Sequence, residues 1–130
     1  MRIQMRLSQE AETILRLEKQ KMVEAEGVSP TYGYIINQKV REVFPIRKSV
    51  NWEKVKDAKV PYEYQSSEKS DIDYSTTLNL ELSVLKCIEE LQVDFKDIFH
   101  VARVHKSFVV RLVLKAAKLL EMNEDISKQQ

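Results

Sequence analysis

The sequence predicts a mostly α-helical protein with a short β ribbon, laid out as a strand-helix-helix unit that occurs twice in one chain. Three observations carry this. Only two glycines and three prolines occur in 130 residues, and helix interiors tolerate neither. Apolar and polar side chains alternate over residues 2–7 and again over 74–80, the period of a strand, and helical spacing follows each stretch. The two stretches superpose, without gaps, at one constant offset of 73 residues (Thr76 on Ile3).

The first strand places Ile3, Met5 and Leu7 on one face and Arg2, Gln4 and Arg6 on the other. So short a ribbon is unstable alone in water and needs a partner strand beside it and helices beneath it. Ser8 is a good N-cap for a helix whose apolar side runs Ala11, Ile14, Leu15, Met22 and Ala25, with Gly27 as its stop. Ser29 and Pro30 then read as the cap and first residue of a second helix, extending to Phe44. Ile35, Ile36, Val40, Val43 and Phe44 form its buried side, and Pro45 ends it.

Residues 45–73 lack a period and read as a linker. Its isolated Trp52, Tyr62 and Tyr64 suggest docking on a folded surface, with a short helix over 52–59. The second strand turns Thr76, Leu78 and Leu80 one way and Ser75, Thr77 and Asn79 the other. Leu82, Val84, Leu85, Ile88, Leu91, Phe95, Ile98, Phe99 and Ala102 then follow a helical period, as do Phe108, Val109, Leu112, Val113, Ala116, Leu119 and Leu120. The chain thus divides into a first unit over 1–44, the linker, a second unit over 74–122 and a frayed polar tail over 123–130. The repeat has two mismatches, Glu18 on Leu91 and Gly27 on His100.

Composition narrows the function. No apolar run approaches the roughly 20 residues needed to cross a bilayer, and charged residues interrupt any leader-like core at the start. Cys87 is alone, so no disulfide framework is expected, and the reducing cytoplasm is the expected compartment. Cys87 itself reads as a small core residue. His100 and His105 are five apart, not the spacing of two ligands on one helix face. No nucleophile, base and orienting group stand at recognisable spacing, and two glycines do not supply a phosphate loop. Neither an enzyme nor a cofactor is expected. The net charge of +1 means that any binding of nucleic acid rests on local charge placement.

Strand, helix, break and helix in about 45 residues resembles the ribbon-helix-helix (Arc/MetJ-like) family of bacterial DNA-binding proteins. The resemblance implies an antiparallel ribbon of two strands entering the major groove of duplex DNA, with outward side chains reading bases. It also implies that the N-terminus of each second helix meets a phosphate. Carried over by position, the base-contacting set is Arg2, Gln4 and Arg6 with Ser75, Thr77 and Asn79. The phosphate-contacting set is Ser29, Thr31 and Tyr32 with His105, Lys106 and Ser107. The second ribbon strand carries no positive charge, and Glu81 at its edge would repel phosphate. The resemblance implies a transcriptional regulator, or alternatively an accessory factor in plasmid conjugation (a relaxosome component), or an antitoxin-like protein-interaction module. The linker, at most about 95 Å when extended, allows pairing of the strands within one chain as a pseudo-dimer or between two chains as a homodimer.

Overall fold

The computed structural model describes residues 1–59 and 74–128. It is mostly helical, with one two-stranded antiparallel sheet. In chain order the elements are β1 (Arg2–Leu7), α1 (Gln9–Glu26), α2 (Tyr32–Val43), a 3-10 segment (Phe44–Ser49), α3 (Trp52–Asp57), β2 (Tyr74–Asn79), α4 (Leu82–Ile98) and α5 (Lys106–Glu121).

The alternating segments are strands, and they pair with each other inside one chain. Arg2 lies opposite Asn79, Gln4 opposite Thr77, and Arg6 opposite Ser75. Leu80 N–H donates to the Met1 carbonyl at 2.9 Å, carrying the ladder one pair further. Gln4 therefore faces Thr77, the very residue that the 73-residue offset assigns to it, and the ladder is centred on that pair. Met5, Leu7, Leu78 and Leu80 are buried beneath it. Each buried aliphatic or Met side chain contributes about 1.5–3 kcal/mol relative to exposure, which holds the ribbon in register, because a one-residue slip would expose the whole set.

Below the ribbon, α2 packs against α5, α1 crosses onto α5, and α4 onto α2. Each strand rests on the second helix of the other half, β1 on α5 and β2 on α2. The core runs through Ile14, Leu15, Ile35, Ile36 and Val40 into Ile88, Leu91, Val109, Val113 and Leu114.

Local chemistry explains the helix ends. Ser8 Oγ accepts from Ala11 N–H at 3.1 Å, and Gly27 closes α1 at φ 71°. His100 takes the corresponding left-handed conformation, φ 55°, at the end of α4, so the Gly27/His100 mismatch conserves a backbone shape. That turn ends α4 at Ile98, earlier than the apolar spacing out to Ala102 predicts.

Several further expectations are corrected. Helix α2 begins at Tyr32, not Pro30: the Thr31 side chain accepts from Tyr34 N–H at 3.1 Å, so Thr31 rather than Ser29 is the cap. The buried side of α1 stops near Glu18, and Ala25 is exposed. Pro45 does not release the chain into a linker but is the second residue of the 3-10 segment, and the short helix expected from Trp52 follows as α3. Val50, Trp52 and Val55 then enter the core, and Trp52 Nε1 donates to the Arg47 carbonyl at 3.0 Å. Nor does the tail fray as far as Lys128. Ile126 is buried, Asn51 N–H donates to its carbonyl at 2.7 Å, and Lys128 N–H donates to Ser49 O at 2.9 Å. Val50 and Ile126 are both buried in the core, and Val50 bridges Ser127 in antiparallel fashion, which ties the tail to this segment. Tyr62 and Tyr64 lie outside the described residues.

Candidate nucleic-acid interface

The strand period and the pairing register together fix which side chains share a surface. Arg2, Gln4, Arg6, Ser75, Thr77 and Asn79 are all exposed and belong to one face of the ribbon. Arg2 and Arg6 lie four residues apart on β1, so the two guanidinium groups are separated along the ribbon. One end carries Arg2 with Asn79, the centre Gln4 with Thr77, and the other end Arg6 with Ser75. Each end thus offers one charged fork and one short polar side chain. The fork is a donor array suited to paired acceptors, while the amide and hydroxyl groups both donate and accept.

A groove flanks each end. The first, of 470 Å³, lies between Arg2, Thr77 and Asn79 of the ribbon and Thr31, Tyr32 and Gly33 at the start of α2. The second, of 660 Å³, lies between Gln4 and Arg6 and His105, Lys106 and Ser107 at the start of α5. Helix N-termini expose unpaired N–H groups and carry partial positive charge, so both grooves favour an anion at their helical wall.

The two grooves differ in detail. At the first, a Cβ added to Gly33 would stand 2.8 Å from Asn79 O, closer than real Cβ atoms come. Glycine lets α2 press directly on the backbone of β2. Lys106 occupies the corresponding place on α5 and brings its own charge, with Glu89 at 4.0 Å. Thr31 is exposed at the first groove. Tyr32 lines it, but its hydroxyl donates to Glu12 Oε2 at 3.0 Å. Burial, reinforced by that carboxylate, pushes the Tyr32 phenol up to about 12, so it stays protonated and committed to Glu12. Ser29 is exposed but precedes the cap and does not line the groove.

Lys19, which the sequence reading missed, lines the first groove and sits over the Tyr32 ring at 5.6 Å from the centroid. Its place on a polar stretch of α1 gives no local signal, because only the packing of α1 beside α2 brings it near the ribbon. Glu81, at the edge of the ribbon, is held by two contacts from α2. It pairs with Arg41 of α2, and its N–H donates to the buried Asn37 side chain at 3.1 Å.

Elsewhere the chemistry is structural. The Cys87 thiol is pushed up, chiefly by burial, and packs against the core. Among the described residues, no three His, Cys, Asp or Glu side chains are placed to hold a metal ion, and no helix is long and apolar enough to cross a membrane. Comparison with protein-family models, curated proteins and solved structures finds no match to this chain.

Proposed function

We propose that the chain is an internal pseudo-dimer of two ribbon-helix-helix units that binds duplex DNA sequence-specifically and acts as a bacterial transcriptional regulator. The observation that carries this reading is the ribbon itself. Six exposed polar side chains, two of them arginines, share one face, and a helix N-terminus stands beside each end. A major groove is about 12 Å wide and admits a two-stranded ribbon. Arg2 and Arg6 are the side chains for guanine edges, Gln4 for adenine, and Ser75, Thr77 and Asn79 supply the complementary contacts. Thr31 and Gly33 on one side, and His105, Lys106 and Ser107 on the other, would meet flanking phosphates. The two strands differ in sequence, so the preferred target is non-palindromic.

The test is selection of bound duplexes from a random pool, with the Arg2→Ala, Gln4→Ala, Arg6→Ala triple variant as control. Enrichment of one motif by the parent chain, lost in the variant, is the expected result; equal enrichment by both moves recognition away from the ribbon. Affinity should also fall steeply between low and moderate salt, as phosphate contacts require.

The net charge of +1 favours a second reading, a protein-interaction module that keeps the fold without reading DNA. Binding that is absent at low salt for every duplex would select it.

A further inference from the structure

The break between α4 and α5 contains more than a turn requires. Gly27 and His100 make the same left-handed stop in the two halves, yet the residues around them differ in kind. Where the first half has Glu26 and Ile35, the second has Phe99 and Phe108, packed edge to face with centroids 5.6 Å apart. Since Glu26 and Ile35 serve the same turn, the backbone does not demand two aromatic rings there.

Those rings wall a cavity of 370 Å³. Val101 and Val104 complete its apolar lining, and Lys56, Arg103 and His105 are its polar members. Every ionisable group in that lining is basic. Asp57, 3.8 Å from the Lys56 ammonium, is itself largely exposed. The wall carrying Lys56 is anchored from below, because the buried Lys115 ammonium donates to the Lys56 carbonyl at 2.9 Å. The opposite wall is fixed by Gln92, whose side-chain amide donates to the Val104 carbonyl at 2.7 Å. The cavity is therefore a built space, at the lower end of the roughly 300–1,000 Å³ range of small-molecule pockets.

We propose that this cavity binds a small amphipathic anion, an aryl or acyl carboxylate, with its apolar body against Phe99 and Phe108 and its carboxylate toward Lys56, Arg103 and His105. Apolar walls supply the burial, and the basic groups fix the orientation by charge-assisted hydrogen bonds. His105 also lines the groove beside Gln4 and Arg6, so the ligand would share a wall with the ribbon surface. The binding site does not depend on the DNA reading, and its test needs no duplex.

The experiment is an amide-resolved NMR titration of the full chain with phenylacetate and with octanoate, against the neutral phenylacetamide and octanol. At least one carboxylate should produce saturable shifts concentrated in residues 99–108, and its neutral analogue should bind roughly tenfold more weakly, the loss of one charge-assisted contact. Val101→Trp, at a position 44% exposed, fills the cavity from its rim without touching the core and should abolish the shifts. Arg103→Glu, at an exposed position, should weaken binding by about tenfold or more. No saturable shift with either carboxylate, or shifts that survive either substitution unchanged, would overturn the proposal.

Discussion

The two halves of the chain follow the same strand-helix-helix order around different interiors. In the first, Glu18 is 6% exposed and is met by three ammonium groups, Lys39 at 3.5 Å and Lys21 and Lys118 at 3.8 Å. In the second, the corresponding Leu91 is fully buried beside Phe95, whose ring lies 5.0 Å from Trp52. The difference teaches that one order of elements accommodates an ionic flank in one half and an aromatic flank in the other. Lys118 of α5 reaches Glu18 of α1, so even the ionic flank is shared between halves. The aromatic flank is roofed by α3, and that accounts for a segment with no repeat partner becoming part of the core.

The largest expected effect breaks this comparison at its aromatic side. Phe95→Ala should cost about 3–5 kcal/mol in urea unfolding, whereas Met22→Ala, at the corresponding half-buried position, should cost about 1 kcal/mol. Equal losses would show that the flanks are equivalent after all.

The two helix starts differ next. Gly33→Ala places a methyl group 2.8 Å from Asn79 O and should lose about 1–3 kcal/mol by overpacking, outweighing the helix propensity gained. Lys106→Ala should leave the melting temperature within about 2 °C of the parent, because it touches no comparable backbone. A stabilised Gly33→Ala variant would mean that α2 does not press on β2.

The ribbon ends give a third contrast, in recognition rather than stability. Arg2→Ala and Arg6→Ala should each remove about 1–3 kcal/mol of base discrimination, at opposite ends of the selected motif. Relaxation of the same position by both would contradict their placement at opposite ends of β1.

The smallest effect is on acid stability. Its hydrogen bond to Lys21 holds the Glu121 carboxyl below its usual 4.5, with Lys118 adding to the shift. A depressed carboxyl contributes stability that is present above pH 4.5 and is lost as pH falls through the lower folded value. Solvent screening keeps this small, so Glu121→Gln should flatten the acid limb of the stability curve by less than about 1 kcal/mol.

Much of this was written locally. Strand alternation assigned Arg2, Gln4 and Arg6 to one face and Ile3, Met5 and Leu7 to the other, because side-chain direction in a strand depends only on the neighbouring backbone. Ser8 and Gly27 marked the ends of α1 for the same reason: a cap is a contact over three or four residues. The start of α2 was misread because Ser29 and Thr31 have nearly equal capping chemistry, and only the packing of Gly33 on Asn79 separates them. Trp52 and Ile126 gave weak local signals, since a lone apolar residue has no period.

The sequence alone determined a mostly helical chain, two short amphipathic strands, and the identity of the six polar side chains between their apolar partners. Tertiary structure decided that the strands pair within the chain, that Gln4 meets Thr77, that Lys19 reaches the groove, and that Tyr32 is held by Glu12. The physical reason is range. Periodicity and capping act over a few residues, whereas pairing and burial join groups some 70 residues apart, and their energies depend on every surface that closes around them.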